Sequence, residues 1–263
     1  WRALAAAMQA GIGGTVEAVR NVVSGNGGVG IFITGQDARA NVLRGNYIGT
    51  DFVGTARLGN DGDGVFIEDA PGTVIGGTAP GAGNIISANG GNGIDITGSQ
   101  ARGTFILQNS IGSGLARTEI LGNAQHGVLL RNDAGGNRIG DTGDGAGNTI
   151  AHNGAALGRH GHGVVVESGT GNAIRHNLIF SNSGRGIDLV NAVKPDTFTL
   201  NDPMDNDSGA NGLQDYPVAT SVQIVGADQR IRWTLDSTPN TIFQIDFFAN
   251  SAEDPSGFGE GER

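Results

Sequence analysis

The stretch NVVSGNGGVGIFI, residues 21–33, decides the reading of this chain because variants of it return five times. They are TARLGNDGDGVFI at 55–67, NIISANGGNGIDI at 84–96, TEILGNAQHGVLL at 118–130 and NLIFSNSGRGIDL at 177–189. The remaining copy begins as NTIAHN at 148–153 and resumes as GHGVVV at 161–166 after a six-residue insertion. Successive copies start 34, 29, 34, 30 and 29 residues apart. A second short segment lies between them: NVLRGNYIG from Asn41, TVIGG from Thr73, TFILQNSIG from Thr104, NRIG from Asn137 and NAIRHN from Asn172. Each repeat thus carries about three short alternating strands divided by Gly and Asn turns, and none can bury its own inner face. Stacking in register supplies the missing partner. It aligns Ile31, Val65, Ile94, Val128, Val164 and Ile187 in one inner column and pairs every backbone group with the coils above and below, about 4.8 Å away. The predicted fold is all-β, a parallel β-helix of about six coils.

Composition agrees. With 48 Gly and 7 Pro in 263 residues, about a fifth of the chain disfavours helix interiors. The 37% hydrophobic content is still enough to build a core. Asn26, Asn60, Asn89, Asn123, Asn153 and Asn182 recur at one cassette position. There they can form a side-chain ladder while tolerating left-handed backbone angles. A net charge of −10 removes the phosphate-neutralising basis of nucleic-acid binding and opposes an anionic bilayer. No apolar run is long enough to span a membrane. The lack of Cys excludes disulfides, thiolate metal sites and a Cys nucleophile.

Four regions are expected. Residues 1–20 form an N-terminal cap, its Ala-rich start read as a short amphipathic helix covering the open end of the stack. Residues 21–195 are the β-helix, and 196–217 an acidic connector. Residues 218–263 read as SVQIVG, QRIRWTLDS and TIFQIDFFAN, longer strands with bulky Trp233, Phe243, Phe247 and Phe248, the start of a β-sandwich (Ig-like) module. In the connector, Asp205, Asp207 and Asn211 alternate with other residues and Asp202 and Asp215 lie nearby. This pattern offers oxygen ligands for a structural Ca²⁺, or else a solvated acidic linker.

The residue before each cassette glycine forms a second column: Val29, Asp63, Asn92, His126, His162 and Arg185. Its polar members can converge on one elongated ligand. A base at His126 or His162, with Asn92 and Arg185 on a carboxylate, would suit elimination from a uronate. Asp95 and Asp188 lie three positions further along their strands, and Asp63 to Asp95 spans roughly 11 Å by strand geometry. That exceeds the ~6.5–9.5 Å of an inverting carboxylate pair. Phe32 and Phe66 face outward on neighbouring coils, where they can stack on sugar rings or pack against the first loops. The alternative for the whole column is a bend, where Asn, Asp and His are favoured for tolerating positive φ.

These repeats resemble the right-handed parallel β-helix repeat proteins of bacteria, over about residues 20–250. Gly161-His162-Gly163 resembles the G-H-G motif of polygalacturonases, and Asp63 stands where that family places the Asp of its Asn-Thr-Asp motif. Here, however, Asn60, Asp61 and Gly62 precede it, Asn92 replaces the paired Asp, and the Arg-Ile-Lys segment is missing. The resemblance implies an extracellular or bacterial cell-surface protein, a monomer or one module of a longer chain. Two functions follow as expectations: a lyase or glycoside hydrolase acting on a polysaccharide along the outer face, or a non-catalytic surface stalk.

Overall fold

The computed structural model describes residues 10–143, 145–154, 160–191, 198–226, 228–250 and Gly261. Eighteen short strands form three parallel six-stranded sheets that the chain visits in rotation. The first sheet holds β1 (Gly11–Gly13), β4 (Val42–Arg44), β7 (Val74–Gly76), β10 (Phe105–Leu107), β13 (Arg138–Ile139) and β16 (Ala173–Ile174). The second holds β2 (Val22–Val23), β5 (Tyr47–Ile48), β8 (Ile85–Ile86), β11 (Ser110–Ile111), β14 (Thr149–Ala151) and β17 (Leu178–Phe180). The third holds β3 (Ile31–Thr34), β6 (Val65–Glu68), β9 (Ile94–Thr97), β12 (Val128–Arg131), β15 (Val164–Val166) and β18 (Ile187–Leu189). Six rungs per sheet make the β-helix that the repeat predicts.

The expected inner column is in register from Ile31 through Val65, Ile94, Val128 and Val164 to Ile187. Its first five members are buried, each contributing about 1.5–3 kcal/mol relative to exposure. Ile187 is 45% exposed, since among the described residues its strand is the edge of the third sheet. The cassette glycine is required by close approach. A Cβ on Gly93 would stand 2.6 Å from the Gly127 carbonyl and 2.7 Å from Ile111 Cγ2.

The asparagine ladder is present at every step. Asn26 donates from Nδ2 to Asn60 Oδ1, and the pattern repeats through Asn89, Asn123 and Asn153 to Asn182. Each Oδ1 from Asn60 to Asn182 also accepts the backbone N–H of the preceding rung's Asn. The ladder residues themselves have no positive φ. Left-handed angles fall instead on the residue before several of them, as at Gly25, Ala88, His152 and Ser181. A second ladder, not anticipated, joins Asn21, Asn46, Asn84, Asn109, Asn148 and Asn177. At the third corner Asn137 donates to Asn172, while Thr73 and Thr104 stand at that corner two and one rungs earlier.

Two cassettes are out of register in their first halves. The strands opposite Ile85–Ile86 are Tyr47–Ile48 and Ser110–Ile111, so the stretches from Thr55 and Thr118 lie outside the second sheet. Those stretches belong to loops closed by antiparallel bridges, Thr50 to Arg57 and Ser113 to Ile120. Asp51 Oδ1 fixes the first loop by accepting the Thr55 and Ala56 N–H groups. Ile120, which aligns with the strand residue Val23, is 66% exposed.

The ends also differ from expectation. The first rung, β1, already lies within the region assigned to the cap, and the helix expected at 1–10 falls almost wholly outside the described residues. At the other end a 3₁₀ turn, Ala210–Leu213, buries Ala210 and Leu213 and packs against β18. Beyond it β19 (Val218–Val225) and β20 (Asp228–Thr234) form one small antiparallel sheet. The third strand expected at 241–250 does not form. That segment is held against the coils, where Asp246 pairs with Arg175 at 2.8 Å and His176 at 3.3 Å.

Candidate functional site

The third sheet presents the outer column that the sequence singles out. Successive rungs bond Gly30 N to the Asp63 carbonyl, Gly64 to Asn92, Gly93 to His126, Gly127 to His162 and Gly163 to Arg185. Asp63, Asn92, His126, His162 and Arg185 are therefore stacked. The side chains of the first four, however, are aimed along the stack. Asp63 Oδ1 accepts the Asn92 backbone N–H at 2.6 Å and its Nδ2 at 3.0 Å. Asn92 Oδ1 accepts the His126 N–H at 3.1 Å. His126 Nδ1 accepts the His162 N–H at 3.1 Å, and His162 Nδ1 accepts the Arg185 N–H at 2.7 Å. None of the column's four members from Asp63 to His162 has a positive φ, which removes bend tolerance as the reason for their identity. What each supplies is an acceptor for the next coil.

This geometry fixes the imidazoles. An Nδ1 that faces a backbone N–H must carry its lone pair, so both rings are neutral with the proton on Nε2. Burial drives His126 down to about 4, and the neighbouring His162 adds to that shift. Burial also lowers His162, against the opposing pull of Asp188. The rings stack at 5.3 Å and 8°. To act as a base through Nδ1, either His would have to give up its coil-to-coil bond.

Phe32, Phe66, Asp95 and Asp188 occupy one further column, with Leu129 and Val165 between the two carboxylates. Phe32 and Phe66 lie 5.3 Å apart, tilted by 48°. Asp95 is 2% exposed and takes two bonds from Arg131 Nε, at 3.1 and 3.2 Å, with Nη2 at 3.1 Å. Burial raises its carboxyl to about 6 even though Arg131 pulls the other way. Burial raises Asp63 as well, against its bonds from Asn92. Arg131 was not anticipated; it lies opposite Thr97 on the next outward column, two residues beyond Leu129. Arg185, expected on a substrate carboxylate, is bonded to Asp188, whose other oxygen is 3.9 Å from His162 Nε2. Each arginine on this face thus has a carboxylate of its own. Asn92, Leu129, Val165 and Asp188 are, like Asp95, less than a tenth exposed.

Of the expected metal ligands, Asp202, Asp205 and Asp207 come together, with ligand atoms all within 4.8 Å of one another. Asn211 does not join them. Its Oδ1 accepts the Asn172 N–H and its Nδ2 donates to the Asn172 carbonyl, so it ends the third corner's ladder.

A family model described as a right handed beta helix region matches residues 58–202, more than half of the chain. The chain belongs to the right-handed β-helix family. No curated protein and no solved structure matches it. No helix among the described residues of this β-helix is long and apolar enough to cross a membrane.

Proposed function

We propose that this β-helix is a non-catalytic coil segment of an extracellular bacterial protein, serving as a stiff spacer at the cell surface. One observation carries the reading: the polar outer column spends its acceptors on the next coil's backbone. Charge supports it, because Arg131 and Arg185 are neutralised by Asp95 and Asp188 and leave neither cation dedicated to a uronate. Burial supports it too, since a polysaccharide could not reach Asp95 or Asp188 without rearrangement of this face. A groove of about 330 Å³ beside Arg117 and His176 is lined by none of these residues.

A second reading, a polysaccharide-active enzyme, draws on Asp95, whose carboxyl near 6 beside Arg131 has the character of a general acid. The aromatic pair Phe32 and Phe66 is its sugar platform. Incubation with acidic and neutral polysaccharides, followed by 235 nm absorbance and reducing ends, separates the two. The spacer reading predicts no turnover on any substrate. Turnover that disappears in Asp95→Asn while thermal stability holds would replace it with the enzymatic one.

A further inference from the structure

The cluster at the end of the coils contains a buried acceptor that no group among the described residues satisfies. Asp215 is 6% exposed; its Oδ1 accepts the Asp202 N–H at 3.3 Å, but its Oδ2 is fully buried and has no hydrogen-bond partner. Its own N–H donates to Asp205 Oδ1 at 3.1 Å, so the residue is stitched between two carboxylates of the cluster. Asp207 Oδ1 is likewise buried without a partner. A buried carboxylate oxygen without a donor costs far more than an exposed one, and here it lies beside other carboxylates.

Ca²⁺ takes six to eight oxygens at about 2.3–2.6 Å, so ligands on opposite sides of one ion lie about 4.6–5.2 Å apart. The ligand atoms of Asp202, Asp205 and Asp207, all within 4.8 Å of one another, fit within that sphere. We propose that Asp202, Asp205, Asp207 and Asp215 hold a single Ca²⁺ that clamps the cover of the last coil to the C-terminal hairpin. Asp205 Oδ2 also accepts Ser237 Oγ at 2.9 Å, and Met204 N–H donates to Asp236 at 3.2 Å, which ties the loop to residues just after β20. The 3₁₀ turn that covers β18 lies between Asp207 and Asp215 in sequence. Ordering the loop therefore orders the end of the solenoid, where an uncovered edge is a liability.

The test uses the full chain after chelator treatment and dialysis, titrated by calorimetry with CaCl₂ and, separately, with MgCl₂. One Ca²⁺ per chain is expected, with a melting temperature that rises with Ca²⁺ and responds much less to equal Mg²⁺. Asp207→Asn should weaken the Ca²⁺ dissociation constant at least tenfold, while Asp37→Asn, a surface control, should leave it unchanged. Absence of binding heat and of any shift in wild-type melting at millimolar Ca²⁺ would overturn the proposal. So would equal responses to the two cations, which would mark simple charge screening. Both readouts use the wild-type chain, so they stand even if Asp207→Asn fails to fold.

Discussion

The Asn60 corner and the Asp63 column lie three residues apart on the same turns and use the same bond, a side-chain acceptor on one coil taking a backbone N–H from a neighbouring coil. They differ in what the position tolerates. At the corner, buried on both sides, each side chain must donate as well as accept, and only Asn appears from Asn26 to Asn182. On the outer column one acceptor is enough, so Asp63, Asn92, His126 and His162 all serve. A mixed column of Asp, Asn and His looks like chemistry in a sequence. Here a uniform need, one acceptor per coil, produces it.

The corner should be the harder of the two to break. Asn123→Ala removes the acceptor of the Asn89 N–H and Nδ2 and the donor to the Ile86 carbonyl and to Asn153 Oδ1. Orphaning these buried groups should cost about 3–5 kcal/mol, read by denaturant unfolding.

The outer column should show itself through pH. His126 is neutral in the fold down to about 4, whereas the unfolded chain takes up its proton near 6.5. Its folded value is depressed, so the unfolded state binds more protons and stability is lost as pH falls from 6.5 towards 4. The loss is on the order of 3 kcal/mol. Asp95 acts in the opposite sense, since a carboxyl raised to about 6 takes up its proton first in the fold and gains stability over much of the same range. Comparing wild type with His126→Asn at each pH isolates the histidine, because the variant keeps an acceptor and loses the titration. At pH 7 that variant should be within about 1 kcal/mol of wild type. His126→Leu, which orphans the His162 N–H, should lose about 1–3 kcal/mol.

The smallest effect sits at the third corner. Thr104 Oγ1 is buried without a partner, and Asn137 already satisfies the Thr104 N–H. Thr104→Val should therefore be neutral or stabilise by up to about 1 kcal/mol, measured as the unfolding midpoint.

What could be read from the sequence was whatever repeats at near-constant spacing. The corner Asn recurs at intervals of 34, 29, 34, 30 and 29 residues, and its ladder and inner column follow from that. The second ladder has intervals of 25, 38, 25, 39 and 29, because two loops fall between it and the first, and so it was hidden. In those loops Ala56-Arg57 and Glu119-Ile120 fall at the cassette positions of the strand pair Val22-Val23 and drew the register away from Tyr47 and Ser110. The candidate site was legible as a column, since stacking depends on backbone periodicity. The direction of its side chains was not, because an acceptor that bonds the next coil and one that faces a ligand look the same in one dimension. Arg131 went unnoticed, and the bond of Asn211 to Asn172 unforeseen, for the same reason: the partner of a long or flexible side chain is chosen by three-dimensional reach.

The most direct test is ¹⁵N NMR of the imidazole nitrogens of His126 and His162 between pH 4 and 8. The coil-to-coil assignment predicts that both rings are neutral at pH 7, with Nδ1 unprotonated and Nε2 bearing hydrogen, and that His126 keeps this form until pH approaches about 4. Protonated Nδ1 at neutral pH, or a His126 midpoint near 6.5, would show that the side chain is free to act on a ligand and would contradict the account.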